Sequence, residues 1–524
     1  MEIKHRLQGV ISPEAVKRAT ELSETKNCSV GATIVKTAKI DSTFDLVSEP
    51  ALARGERVES MKKFSLLFTL WVCISASRSP AQQGTAGSGA PAPHSAKVLT
   101  LSEAVQIALK NNPAVGAADA YAEAVRQGIK TAQSGRYPRL DFSYSFTRSN
   151  NPVYVFGTLL TQEQFQAQNF DLNFLNHPPP LNNFRPQFTA NMPLYDAGKT
   201  SRSVRDACLQ SQAAQQGMHR TQQEIVFNTA GAFLNELLAR ESVRVAQAAL
   251  DAATADLARA QSRQEQGLTV PSDVLSAQVQ LSQAKEDLIR AQNAVAIAQA
   301  SLNVAMGLPE DAPNEIEGDL KEVSFESGAL SERQEKALVT RPDYQQAKIG
   351  KERTTNGVNA ARAEFLPKIN LFSSWEVDSQ TFAARAGNNW AAGATLSFNI
   401  FDGGANRARL AESRARERQA RALQDQMASA VRLQVREAFL NVNAARQRVE
   451  ASRESASQAQ ESLRILQNRY ETGLATITDL LQAETMRTAA QQRFLNAVFD
   501  YRIAFAALEL ATGEISSDSQ VLKR

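Results

Sequence analysis

The sequence predicts a mainly α-helical chain carrying membrane-type β-strands, built twice over: each half has a very long helix, a returning helix and two strands. Three observations predict it. "QEQGLTVPSDVLSAQ" (264–278) and "YETGLATITDLLQAE" (470–484) place the same Gly-Leu hinge 206 residues apart, each inside long helical sequence. From Ala197 to Gly267, and everywhere after Pro367, there is no proline, and Ala, Gln, Arg and Leu dominate. Four short segments alternate apolar and polar residues with a period of two.

The hinge is one part of a larger duplication. "LSEAVQIALKNNP" (101–113) matches "LSERQEKALVTRP" (330–342), and "YPRLDF" matches "LPKINL", both at an offset of 229. "PLYDAGK" (193–199) matches "NIFDGGA" (399–405), and "NVAMGLP" near Gly307 matches "ELATGEI" near Gly513, both at 206. The offset changes once, so the first copy carries 23 extra residues between Pro138 and Asp196. The first repeat spans 98–310, a linker 311–328, the second repeat 329–514, and a tail 515–524. Each repeat opens on a short helix, which in the first copy starts with a capping box, Thr100 to Glu103. Pro113 and Pro342 break that helix early.

The strands come next, at 138–147 and 187–195 in the first repeat and 368–378 and 390–401 in the second. Leu140, Phe142, Tyr144 and Phe146 alternate with Asp141, Ser143, Ser145 and Thr147, and the other three follow suit. About ten residues is the length a tilted strand needs to cross an outer membrane, apolar side to lipid and polar side to a wet lumen. Long helices follow at 197–266 and 404–472, and returning helices at 272–307 and 478–512. About 70 residues at 1.5 Å each is about 100 Å, too long for one globular core. Narrow Ala-rich seams suit helices lying side by side. Four strands cannot close a barrel, and an open edge in lipid is costly. The chain must share a barrel with copies of itself: eight, twelve or sixteen strands from two, three or four chains.

Composition excludes much else. The net charge of +3 over 524 residues, with Lys and Arg interleaved among acids, speaks against a nucleic-acid binder. Mean hydropathy is −0.33, unlike a polytopic helical membrane protein. The three cysteines form no CxxC, the four histidines are scattered, and there is no P-loop, GxSxG or HExxH. No enzyme activity, cofactor or metal is expected. "MKKFSLLFTLWVCISA" (61–76) reads as a secretory signal, with a signal segment at 61–77 and a flexible linker at 78–97. A signal belongs at a chain start, so Met61 is the expected start and residues 1–60 an upstream mis-start. Val72 before Cys73 is too large for a lipid-attachment box.

With "LTLSEAVQIALKNNP", "YPRLDFSYSF", "PLYDAGK", "NIFDGG" and both hinges in this order, the chain resembles the TolC-like outer membrane efflux protein family over about 98–514. The resemblance implies a trimer, hence a helical barrel under a 12-stranded outer-membrane β-barrel. It implies an exit duct for drug efflux or type I secretion, served by a periplasmic adaptor and an inner-membrane transporter that supplies the energy. The tips at Gly267, Leu268, Gly473 and Leu474 would form the closed entrance and the adaptor-docking surface. Asp273 and Asp479 read either as helix-capping acids or as a ring of carboxylates at the constriction. Gln482 stands where some relatives carry a second acid, which weakens such a ring. Tyr470 matches a position that latches the tip by hydrogen bonding, with simple packing as the other reading. Ala475 stands where some relatives place a basic latch. The loop 148–183 would face outside as an ordered cap or epitope. A coiled-coil surface protein and a periplasmic adaptor are the alternatives; the first leaves the strands unexplained and the second lacks its extra domains.

Overall fold

The computed structural model describes residues 97–323, 328–382 and 387–519, together with two short strands near the N-terminus. The expected mis-start, signal segment and linker fall outside the described residues, apart from those strands and Lys97, which begins β3. The chain divides into two units, 1–90 and 91–524. In the first, β1 (Ile3–His5) and β2 (Ser42–Phe44) pair in parallel.

The second unit begins with β3 (Lys97–Leu99) and α1 (Leu101–Asn111). Thr100 and Glu103 cap α1 reciprocally, the Thr100 amide donating to Glu103 Oε2 at 2.9 Å. Pro113 has no amide hydrogen to continue the ladder, so the chain turns at Asn112 and restarts as α2 (Pro113–Ser134). The second repeat does the same at Arg341, between α7 (Leu330–Thr340) and α8 (Pro342–Ala363). β6 (Asn314–Ile316), inside the expected linker, pairs in parallel with β3.

Four strands form one antiparallel sheet in the order β4 (Arg139–Ser149), β5 (Leu181–Tyr195), β7 (Lys368–Asp378), β8 (Gly387–Ser397). The register sets the apolar residues side by side: Phe142 pairs with Phe188, Phe188 with Trp375, and Trp375 with Trp390. Their face is bare, with Leu140 and Trp390 69% and 77% exposed. Ser143, Gln187, Glu376 and Asn389 form the matching row on the opposite, polar face. Gln187 donates to Glu376 across it at 2.9 Å. Exposed Tyr137, Tyr195 and Phe398 stand at the helix end of the sheet. Five to eight residues separate that level from the Trp375 row. At about 3.3 Å each and a tilt of about 40°, that is about 13–20 Å of height, within the span of an outer-membrane band between aromatic girdles.

Two strands differ from expectation. β5 begins six residues earlier than 187, running past Pro186, whose missing amide falls between the β7 ladder and the isolated Phe184–Ser379 bridge. β8 covers 387–397 instead of 390–401, because Ser397 already pairs with Lys368, the first residue of β7, and nothing remains for Asn399–Phe401 to pair with. The 148–183 loop is ordered, with α3 (Pro152–Thr161), a 3-10 turn (Ala167–Phe170) and α4 (Leu172–Asn176).

Each long helix is 67 residues, α5 (Lys199–Glu265) and α9 (Ala405–Glu471), about 100 Å. The returning helices are α6 (Pro271–Ala305) and α10 (Ile477–Thr512). Near the sheet the main neighbours run α2, α5, α8, α9; toward the tips they run α6, α5, α10, α9. The seams are narrow, as with Ala246, Ala253 and Ala260 on α5 and Val435, Val442 and Val449 on α9. Among the described residues no helix is long and apolar enough to cross a membrane.

The thickest core lies midway, where α1 and the ends of α6 and α10 pack on α5 around Phe233, Leu234, Leu302 and Met306. Ile515, expected in a tail, is buried there too. Gly307 (φ +73°) and Gly513 (φ +74°) end the two returning helices, each pressed on the proline break of its own repeat. A Cβ on Gly307 would stand 2.6 Å from the Asn111 carbonyl oxygen, so only glycine fits. Phe233→Ala should empty this core and cost about 3–5 kcal/mol, read as a lower urea midpoint with unchanged slope in detergent-solubilised protein.

Candidate functional site

Both hinges end their long helix in the same way. Gly267 (φ +74°) and Gly473 (φ +78°) take the left-handed conformation. The next amides reach back, Leu268 to the Arg263 carbonyl at 2.8 Å and Leu474 to that of Arg469 at 2.7 Å. Gly267 and Gly473 donate to Gln264 and Tyr470. This is the Schellman pattern, which satisfies carbonyls the helix leaves orphaned. The returning helices start three or four residues later. Pro271 opens α6, and Thr476 caps α10 through a box with Asp479. Leu268, Val270 and Leu474 are left more than half exposed at the extreme tips.

Asp273 and Asp479 occupy the same position, the third of their helices. Asp479 accepts from the Thr476 amide at 3.0 Å and from its hydroxyl at 2.7 Å. Those bonds hold its carboxyl below the ordinary range and keep it ionised. Asp273 accepts from the Thr269 hydroxyl. Within one chain Asp479 therefore caps its helix, whereas Asp273 stands in the first turn of α6 without a capping bond to its backbone. Gln482, one turn beyond Asp479, is exposed.

Tyr470 is buried, at 4% exposure, among Leu463, Ile477, Leu480 and Ala483. Its hydroxyl has no hydrogen-bond partner among the described residues, and burial pushes it above the usual phenol range. The hydrogen-bonding latch expected of it is not made inside one copy. Arg263 makes the tie between the repeats instead. Its guanidinium lies 4.9 Å from the centre of the Tyr470 ring and donates to the Tyr470 carbonyl at 3.0 Å. A cation from the first hinge thus caps the C-terminus of α9, where the helix dipole favours positive charge.

Behind the tips lie charges that the sequence reading passed over. Asp256, 1% exposed, pairs with Arg259 on α5. Glu484, 6% exposed, accepts from Gln467 at 3.1 Å and meets Arg487 at 3.6 Å. Burial raises both carboxyls, and for Glu484 the nearby Asp256 adds to the rise. A signal existed: Asp256 falls at a seam position of the Ala253–Ala260 spacing, where an acid on a wet surface has no place.

Long antiparallel helices on a bare-faced hairpin sheet define the class: a membrane-anchored conduit protein. The family follows. The family model for outer membrane efflux proteins matches residues 104–308 and 334–514, and the chain belongs to that family. It is 27% identical over 326 residues to Protein CyaE of Bordetella pertussis, 62% of this chain and 69% of that one. It is 23% identical over 419 residues to Cation efflux system protein CusC of Escherichia coli, 78% and 84%. It is 24% identical over 310 residues to Outer membrane protein TolC of Escherichia coli, 56% and 62%. The Campylobacter jejuni CmeC outer membrane channel shares the fold, with a TM-score of 0.67 at 18% identity over 80% of this chain and 87% of that one. The chain is an outer-membrane duct for export out of the cell, its helical tunnel in the periplasm.

Glu484 gives a pH test. Its folded value lies above its unfolded one, so its ionised form weakens the fold at neutral pH, and that penalty is relieved as pH falls through the folded value. Glu484→Gln should raise the melting temperature at neutral pH, with the gain shrinking toward the ordinary carboxylate range; a pH-independent gain would mean that Glu484 does not titrate.

Proposed function

We propose that three copies close into one duct, a 12-stranded barrel in the outer membrane continuous with a helical barrel in the periplasm. One observation carries this: the unpaired edges of sheet and helices lie on the same two sides. β4 is one edge strand and continues from α2; β8 is the other and leads into α9. Pairing β8 with β4 of the next copy therefore sets α9 beside α2 and, below it, beside α6. Among the described residues those faces are bare of partners. α6 exposes Leu275, Val279, Ile289, Ile297 and Val304, and α9 exposes Leu433, Leu440 and Ile465 away from its buried seam. Two copies would give eight strands, a barrel that side chains fill. Three is the smallest number that leaves a bore.

The tips are the entrance. Gly267, Leu268, Gly473 and Leu474 shape the hinges, and exposed Leu268 and Leu474 offer apolar knobs to the helical hairpin of a periplasmic adaptor, itself coupled to an inner-membrane transporter. Asp273 and Asp479, three of each, place negative charge at the constriction, with Gln482 diluting it. Tyr470 and Arg263 hold the two hairpins of each copy together. The relatives' names include both efflux and secretion proteins (the latter including Alkaline protease secretion protein AprF of Pseudomonas aeruginosa), so the substrate stays open between the two.

Native mass spectrometry of protein extracted from outer-membrane fractions should give a trimer; a monomer or dimer overturns the reading. In planar bilayers Arg263→Ala should raise the closed-state conductance several-fold. Tyr470→Phe should leave it unchanged, because the ring that stacks on Arg263 remains and the lost hydroxyl has no partner among the described residues of its own chain.

A further inference from the structure

The loop between β4 and β5 does not stand clear of the sheet. It folds back onto one face, and the contacts say which. Gln162, at the end of α3, is 1% exposed and donates to the Asn182 carbonyl and to Asn183 Oδ1, both at 2.9 Å. Asn389 donates to the Thr161 carbonyl at 3.1 Å and to Asp378 Oδ2 at 3.2 Å. Asp378, wholly buried, also accepts from Arg185 at 2.6 Å and from Asn183. Asn183, Arg185, Asp378 and Asn389 alternate in step with Gln187 and Glu376, so all lie on the polar face. Gly387 pairs with Asp378 and shares that face, and a Cβ there would stand 1.8 Å from the Thr161 carbonyl oxygen. The end of α3 is thus seated on the polar face at the strand ends farthest from the helices, where only a glycine lets it come so close.

We infer that this loop is a size-selecting constriction at the outer mouth of the duct, a second narrowing distinct from the periplasmic tips. The inference rests on the three-copy barrel, whose polar face lines the bore. Twelve strands about 4.8 Å apart, tilted about 40°, enclose a circle about 24 Å across. Each copy brings one helical cap, and a helix with its side chains is about 10 Å thick. Three such bodies need about 22 Å to lie side by side, so they fill the mouth. The cap is a folded body with its own core of Val155, Leu159 and Leu181, and Phe165 stacks edge-on against Phe156 and Phe170. It still leaves Val153, Phe170 and Leu172 more than 60% exposed. The other two caps are the surfaces within reach that cover them. Asp378 and Asn389 are positioning residues here: they hold the cap inward without lining the path themselves.

The test reads access from outside. Ser143, on the polar face below the cap, becomes a cysteine in a background without native cysteines. Intact cells are then treated with a small maleimide or with a bulky maleimide–polyethylene glycol. With the native cap the small reagent should label and the polymer should not. Gly387→Val, which blocks the seat of α3, should abolish that size discrimination. Gln162→Ala with Asn389→Ala should do the same without added bulk, which guards against a Gly387 variant that fails to fold. Polymer labelling at the small-reagent rate with the native cap overturns the constriction and leaves the barrel standing. Labelling by neither reagent in both cap variants, with the protein confirmed in the outer membrane, would mean that Ser143 faces no lumen, and the barrel reading itself would fall; labelling by neither with the native cap but by both in the variants would overturn size selection in favour of a sealed mouth.

Discussion

Backbone amides and carbonyls that enter hydrocarbon unpaired cost several kcal/mol each, and a four-stranded sheet has two such edges. Everything else in this chain follows from where those edges lie. Each edge strand is spliced to an edge helix, so what satisfies the strands also brings bare helix faces together. Lipid supplies no drive for the helices, which stand in water, and their exposed Leu, Ile and Val side chains supply it themselves. In the proposed duct the membrane and periplasmic halves would therefore assemble through one continuous joint governed by two different forces.

The tips show the opposite economy. Only two small apolar clusters are buried there among the described residues, one around Tyr470 and one of Ala260, Val274 and Ala277. The hinges hold by local backbone bonds, reciprocal caps and one guanidinium crossing between repeats. The carboxyls of Asp256 and Glu484 stay buried behind them at some cost in stability. Weak, polar, local contacts are what the proposed entrance would need in order to part and reseal, as low-stability regions do elsewhere.

Much of this was legible in the sequence. Glycine before leucine, ahead of a capping Thr and Asp, specifies the hinge through backbone chemistry alone, and proline marked both breaks. Alternation fixed which face of each strand is apolar. The strand ends were less legible, because β8 stops where β7 offers no partner, a fact about another strand. Arg263 was invisible for the same reason: its partners, the carbonyls at 470 and 471, lie some 207 residues away, and no local pattern links them. The loop's aromatics and prolines announced order, but not that it folds inward. That depends on Gly387 and Asp378, which sit in the other repeat.

The insertion of 23 residues in one repeat only has a consequence for symmetry. Each copy shows two hairpins of the same geometry at its tips, so in the proposed three-copy duct the periplasmic rim would be near-sixfold, with six similar seats. At the outer end the extra residues occur once per chain, and the rim of that duct would be strictly threefold. A partner reading the periplasmic rim would meet alternating, slightly unequal sites, with Pro271 opening one kind and Thr476 the other. Such a duct would change its order of symmetry along its own axis.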